Sequence, residues 1–266
     1  MGSIEQYYNH DYDEWGRLLR HRIEFEITKR ALNKFIPEKA SVLDVGGGPG
    51  RYSIYLAERS HEVTLFDLCE KMVEQAAENA KSAGVVLKDC IQGNVLSLCD
   101  ILPGREFDAI LCMGPMYHLL KEDERREAIN QCMGLLKKDG ILIVSFISAY
   151  APIIDCLKAY PQDIGKLKDS LLRYLEDGRH DSRVAQGFTD AYFFNPADIR
   201  GFMSQFKLET LRIMAVESLG VLVEEKLMQL PEEDFQSWLD VFEAVASNPE
   251  VWGSCEHLLY IGRKVD

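Results

Sequence analysis

The stretch Val42-Leu43-Asp44-Val45-Gly46-Gly47-Gly48-Pro49-Gly50 constrains this chain more than any other, because an apolar run breaks there into four glycines within five positions. A short apolar run bounded by glycines reads as a buried strand entering a tight turn. The segment that follows, Arg51 to Ala57, spaces its apolar residues as a helix does. Strand, glycine turn and helix in that order open a doubly wound α/β sheet. Glycine has no Cβ, so the backbone of such a turn can run close under a ligand and offer it free N–H groups.

The spacing of the glycines narrows the ligand. A dinucleotide fingerprint calls for a glycine at position 51, where this chain has Arg51, and the pattern is instead D-x-G-x-G-x-G starting at Asp44. A second strand, Glu62 to Asp67, ends on a carboxylate placed to accept hydrogen bonds from ribose hydroxyls. A third, Val85 to Ile91, follows the helix stop at Gly84 and leads into Gly93-Asn94-Val95. A fourth, Phe107 to Met113, runs into Gly114-Pro115-Met116-Tyr117-His118-Leu119-Leu120. The spacing then predicts a helix over Lys121 to Lys138, closed by Asp139-Gly140 before a fifth strand, Ile141 to Phe146. Lys207 to Val216 and His257 to Arg263 read as the sixth and seventh strands, after a helical excursion over 217–250.

These ordered motifs, over about residues 40 to 147, resemble those of the class I S-adenosylmethionine-dependent methyltransferases of the small-molecule, type 11-like kind. The resemblance implies a Rossmann-like seven-stranded α/β sheet closed by an antiparallel C-terminal strand. It implies that Asp44, Gly46, Gly47 and Gly48 hold the methionine end of S-adenosylmethionine, that Asp67 holds the ribose, and that Leu68, Met72, Asn94 and Val95 meet the adenine. The backbone near Met113 would take the amino group. The family usually carries Asp where this chain has Asn94, whose amide oxygen can still accept from an amino group. The Asn-Pro-Pro-Tyr type of motif of adenine and glutamine N-methyltransferases is replaced by Gly114 to Tyr117, which weakens that substrate class.

Tyr117 and His118 fall where the transferred methyl group would emerge. A His among Leu residues often simply packs, but its near-neutral pKa also suits it to take a proton from a nucleophile. The chain divides into an N-terminal helical cap (1–37), an S-adenosylmethionine-binding core (38–148), a substrate-lid insertion (149–190) and the remainder of the core sheet (191–266). Tyr8, Tyr12 and Trp15 in the cap and Tyr192 beyond the insertion join Tyr117 and His118 as candidate acceptor contacts.

Composition limits the partners. With 43 acidic against 30 basic residues the formal charge is −13, which repels polyanions and favours a small-molecule substrate over nucleic acid. Arg17, Arg20, Arg22, Lys29, Arg30 and Lys34, interleaved with Glu24 and Glu26, form either a solvated helix face or a contact for an anionic group. Seven cysteines without a C-x-x-C pair read as reduced thiols of a cytoplasmic protein. The N-terminus carries no signal-peptide pattern, and the apolar stretch Ile141 to Ile154 is too short to span a bilayer. The six His residues show no ligand spacing, so no metal is expected. Monomer and homodimer both remain open. The rival readings are a nicotinamide-dependent oxidoreductase, disfavoured by Arg51, and a non-catalytic methyltransferase-like binding module, whose mark would be a damaged glycine turn or the loss of Asp67.

Overall fold

The computed structural model describes residues 14–182 and 189–266. Each apolar run bounded by turn residues becomes a strand: β1 (Ser41–Val45), β2 (Glu62–Asp67), β3 (Asp89–Gln92), β4 (Phe107–Cys112), β5 (Leu136–Ile147), β6 (Arg179–His180), β7 (Ala191–Tyr192), β8 (Leu208–Ala215) and β9 (His257–Lys264). Seven of them form one sheet in the order β3-β2-β1-β4-β5-β9-β8. Strands β1 to β5 are parallel, and β9 runs antiparallel to both of its neighbours. Strand order reverses between β1 and β4, the place where open α/β sheets leave a crevice above their carboxyl ends.

Alternate strand residues feed two separate cores, as the two-residue period of a strand requires. Leu142 and Val144 join Leu43, Ile110 and Tyr260 on one side, while Ile141 and Ile143 join Val42, Val63 and Ile261 on the other. The second core is covered by the helix Arg22–Phe35, which buries Ile23, Ile27 and Ala31 at a spacing of four, and by the helix Glu232–Val245 through Phe235, Leu239 and Phe242. Arg22 lies over the Phe235 ring at 4.2 Å, and Arg30 reaches Asp240 at 2.7 Å. The second of these is an exposed pair, so the buried apolar faces, not the charges, dominate the docking of the two helices. The insertion after β5 forms the helices Ala151–Ala159 and Ile164–Asp177 and the β6–β7 pair, with its own small core of Leu171, Tyr174 and Phe193.

Two elements depart from the spacing. The third strand is shorter than 85–91 and begins at Asp89; Val86, expected inside it, is 86% exposed, and the chain joins β2 only at Lys88, whose N–H donates to the Val63 carbonyl at 2.8 Å. The helix after the fourth strand ends at Leu135, and β5 takes over at once. The register jumps from Phe107 opposite Leu136 to Ala109 opposite Ile141, so Lys137 to Gly140 form a bulge. Asp139, not Gly140, takes the left-handed conformation there, at φ 61°. A side chain from the last strand makes this abrupt ending tolerable: Lys264 Nζ donates to the carbonyls of Met133 and Leu136 at 2.7 and 2.6 Å, filling acceptors that a helix end leaves open. Among the described residues no helix is long and apolar enough to cross a membrane.

Candidate active site

The glycine turn is held in shape from three directions. Gly46 has φ 75° and donates its N–H to the Phe66 carbonyl at 2.8 Å; a Cβ there would lie 2.8 Å from Pro115 Cδ, so no other residue fits without displacing the fourth-strand loop. At Gly47 the obstacle is Asp44, whose Oδ2 would lie 2.9 Å from an added Cβ. Asp44 is buried and accepts from Ser53 Oγ at 2.7 Å. Burial raises its carboxyl to about 6, opposed by the Ser53 bond and reinforced by the charge of Asp67. Asp67 closes the arrangement at the end of β2, accepting from Gly48 N and Cys69 N at 2.8 Å each.

Above the carboxyl ends of the strands lies a cavity of about 250 Å³. Asp44, Gly46, Gly47, Gly48, Asp67, Leu68, Met72, Asn94, Val95 and Met113, the residues singled out in the sequence for a cofactor, all line it, as do Tyr117 and His118. Besides Asp44 and Asp67, Asn94 and Met113 already have protein partners. Asn94 Oδ1 accepts from Leu96 N at 2.9 Å as the cap of the turn Val95–Ser97, which leaves one lone pair of that oxygen and the amide nitrogen for a ligand. The Met113 carbonyl accepts from the Tyr117 hydroxyl at 2.8 Å, leaving its second lone pair for a ligand. His118 Nδ1 faces the Asp190 carbonyl at 3.5 Å, and enclosure lowers the ring pKa to about 4 against that contact, so the imidazole is neutral at pH 7.

The remaining acceptor candidates fall differently. Tyr8 and Tyr12 lie outside the described residues. Trp15 is not part of the cavity lining but stands behind it, its ring 4.7 Å from the Arg51 guanidinium. Tyr192 sits in β7 with the Arg125 guanidinium 3.6 Å over its ring and is not among the residues lining the cavity. The β6–β7 pair, invisible in the sequence pattern, directs it to that cation.

Arg51 was read in the sequence only as a missing glycine, yet it lines the cavity directly after the turn. Its guanidinium lies 4.7 Å from the rings of both Trp15 and Phe25, and its Nε is buried without a hydrogen-bond partner among the described residues. Burial lowers its pKa, but a guanidinium stays charged at neutral pH.

The far end of the cavity is built from segments distant in sequence. Glu24 and Thr28, one turn apart on the helix Arg22–Phe35, line it together with Arg17, Ser145, Val216, His257 and Leu259. Ser145 pairs with Leu259 across β5 and β9, and His257 lies two residues from Leu259, so these three side chains share one face of the sheet. Arg17 binds both Glu24 oxygens, at 2.6 and 3.1 Å. His257 Nδ1 lies 2.5 Å from Glu217 Oε1 and 3.9 Å from Glu24 Oε2, and Glu217 Oε2 accepts from the His257 backbone N–H at 2.9 Å. Burial disfavours the imidazolium, but the two carboxylates outweigh it and raise His257 to about 9. For Glu24, burial is likewise outweighed, by Arg17 and His257, and its carboxyl stays well below the usual range. Glu24, Glu217 and His257 bring possible metal-ligand atoms within 4.8 Å of one another, a grouping that local spacing could not reveal. Their donor atoms are occupied by Arg17 and by each other.

With this geometry in view, comparison with known proteins is informative. Residues 42–140 match the family model described as a methyltransferase domain. That stretch is therefore a methyltransferase domain. Among the chain's curated relatives is the glycine/sarcosine N-methyltransferase of Parasynechococcus marenigrum (strain WH8102), 34% identical over 144 residues that make up 53% of this chain and 50% of that protein. The tRNA 5-carboxymethoxyuridine methyltransferase of Escherichia coli (strain K12) is 31% identical over 134 residues, 50% of this chain and 49% of that one. The chain thus spans about half the length of the curated relatives it matches. A solved structure, magnesium protoporphyrin IX methyltransferase from Synechocystis PCC 6803 with bound S-adenosylhomocysteine, superposes with a TM-score of 0.58 at 15% identity, covering 98% of this chain and 97% of that one. At that identity the likeness is one of fold.

Proposed function

We propose that this chain transfers a methyl group from S-adenosylmethionine to a small-molecule acceptor. The observation that carries this reading is the single cavity in which the glycine turn, Asp67 and Arg51 stand at one end and an unrelated polar group stands at the other. The residues fit the cofactor: a Cβ at Gly46 or Gly47 would collide with the cradle wall, and Arg51 presents a buried Nε that lacks an acceptor. When bound, the cofactor supplies a methyl group already activated on a sulfonium. The work left to the protein is to align the acceptor and exclude water.

In this reading Asp44 and Gly46 to Gly48 hold the methionine end, and Arg51 takes its carboxylate through a charge-assisted bond. Asp67 receives the ribose hydroxyls, while Leu68, Met72 and Val95 pack on the adenine. Asn94, its oxygen used as a cap, keeps its amide nitrogen for the ring edge. Neutral His118, beside Tyr117, can accept a proton released by the acceptor. Residues 1–37 serve as the cap and 149–190 as the lid. The relatives named above act on glycine and sarcosine, on magnesium protoporphyrin IX and on a tRNA uridine; a charge of −13 supports the small-molecule class for this chain. Seven free cysteines support a cytoplasmic, reducing setting.

Calorimetric titration with S-adenosylhomocysteine, S-adenosylmethionine and NAD in parallel tests the reading. Micromolar binding of the two sulfur compounds is expected. Binding of NAD alone would overturn it.

A further inference from the structure

The far end of the cavity says what kind of acceptor it receives. Its charges are already balanced in pairs: Arg17 on Glu24, and His257 on Glu217. What faces the cavity beyond those pairs is a set of donors. His257 has committed Nδ1 to Glu217, so Nε2 is the ring atom left to meet a ligand, and the carboxylates behind it keep that nitrogen protonated. Thr28 and Ser145, with their hydroxyls, line the same end at 2% and 8% exposure. Val216 and Leu259 supply the apolar wall. An imidazole held by Glu217 on one side, with two hydroxyl side chains lining the same part of the cavity, is arranged to satisfy an acceptor oxygen, not a cation, since both Glu24 oxygens already accept from Arg17.

We infer that the acceptor carries a carboxylate, and that this group is bound by His257 Nε2 together with the hydroxyls of Thr28 and Ser145. This rests on the methyltransferase reading above and gives it a substrate class. The anion is a second one, distinct from the methionine carboxylate assigned to Arg51, and it sits against the β5–β9 side of the cavity. It also gives Glu217 a positioning role: by holding both the backbone and the ring of His257, it fixes which nitrogen faces the ligand. The other charged groups around the ring, Glu24, Arg17 and Glu256, set how strongly it keeps its proton.

The test uses acetate as the probe on protein saturated with S-adenosylhomocysteine and labelled at its histidine rings for NMR. Acetate should shift the His257 ring signals saturably in the millimolar range, whereas acetamide and methylammonium should not. Its affinity should fall as pH rises through about 9. His257→Gln should weaken acetate at least about tenfold while S-adenosylhomocysteine still binds, which also reports that the variant is folded. Should His257→Gln not fold, Glu217→Gln keeps the shape but removes a charge, and should move the pH at which acetate is lost downward by about one unit or more. Acetate binding that is equal in wild type and His257→Gln overturns the inference. So does acetate that binds when 5′-methylthioadenosine fills the cofactor end but not when S-adenosylhomocysteine does, because the anion site would then be the cofactor's own. Saturable binding of methylammonium or Mn²⁺ at His257 in place of acetate would likewise overturn it, in favour of a cation site. Failure of S-adenosylhomocysteine itself to bind would instead sink the methyltransferase reading, and acetate could still be titrated on the unliganded protein.

Discussion

The two ends of the cavity are built in opposite ways. At the cofactor end a few contiguous residues do most of the work: the turn from Gly46 to Gly48 is tied directly to Asp67 and backed by Asp44, and its bonds are mainly backbone N–H groups meeting carbonyls or carboxylates. At the far end Arg17 comes from the helix Glu14–Arg20, Glu24 from the helix Arg22–Phe35, Ser145 from β5, Glu217 from just beyond β8 and His257 from β9, and the interactions are mainly between side chains. Backbone geometry can serve one unchanging ligand on many sequences. Side-chain geometry can be altered one residue at a time, so the acceptor end is where specificity can vary while the fold stays the same.

If the comparison is right, substitutions at the two ends have separable effects. The largest is expected for Gly46→Val, which sets a β-branched residue at φ 75° with its Cβ 2.8 Å from Pro115. Stability to urea should fall by about 3 kcal/mol or more, and S-adenosylhomocysteine binding should be lost. Next is a pH effect that belongs to the far end alone. The folded pKa of His257 is raised from 6.5 to about 9, so its contribution to stability is complete below about 6.5 and disappears as pH rises to 9. Urea unfolding between pH 6 and 10 should show a decline on the order of 2–3 kcal/mol that His257→Gln lacks. Asp67→Ala should cost about 1.5–3 kcal/mol of S-adenosylhomocysteine affinity by calorimetry, since charge-assisted ribose bonds are removed. Arg51→Gln should cost about 1–1.5 kcal/mol for S-adenosylhomocysteine and nothing for 5′-methylthioadenosine, which lacks the carboxylate. The smallest effect is that of His118→Ala, expected to leave S-adenosylhomocysteine affinity within about twofold, because a neutral side chain at the junction of the two ends is removed without disturbing either.

The same contrast governs what could be read from the chain. Strand, glycine turn, helix and strand-end acid are local signals, and the doubly wound sheet followed from their order; its antiparallel last strand came from the family resemblance. Local reading failed where a tertiary partner decides. The helix ends at Leu135, and not at Lys138, because Lys264 from the far end of the chain reaches its carbonyls. Tyr192 looked like a pocket aromatic and lies under Arg125 instead. The cluster of Glu24, Glu217 and His257 leaves no spacing signal, since its members meet only after the β8–β9 hairpin has closed onto the N-terminal helices. Arg51 stood in plain view, directly after the last glycine of the turn, yet was given no role in the sequence reading. A charged residue there carries information that a search for glycines discards.

The separation of the two ends is tested most directly by titrating S-adenosylhomocysteine, side by side, into the wild type, Asp67→Ala and His257→Gln. The account predicts that Asp67→Ala weakens binding at least about tenfold and that His257→Gln leaves it within about twofold of the wild type. Equal losses in both variants would contradict it, because the polar cluster at the hairpin would then belong to the cofactor and not to the acceptor.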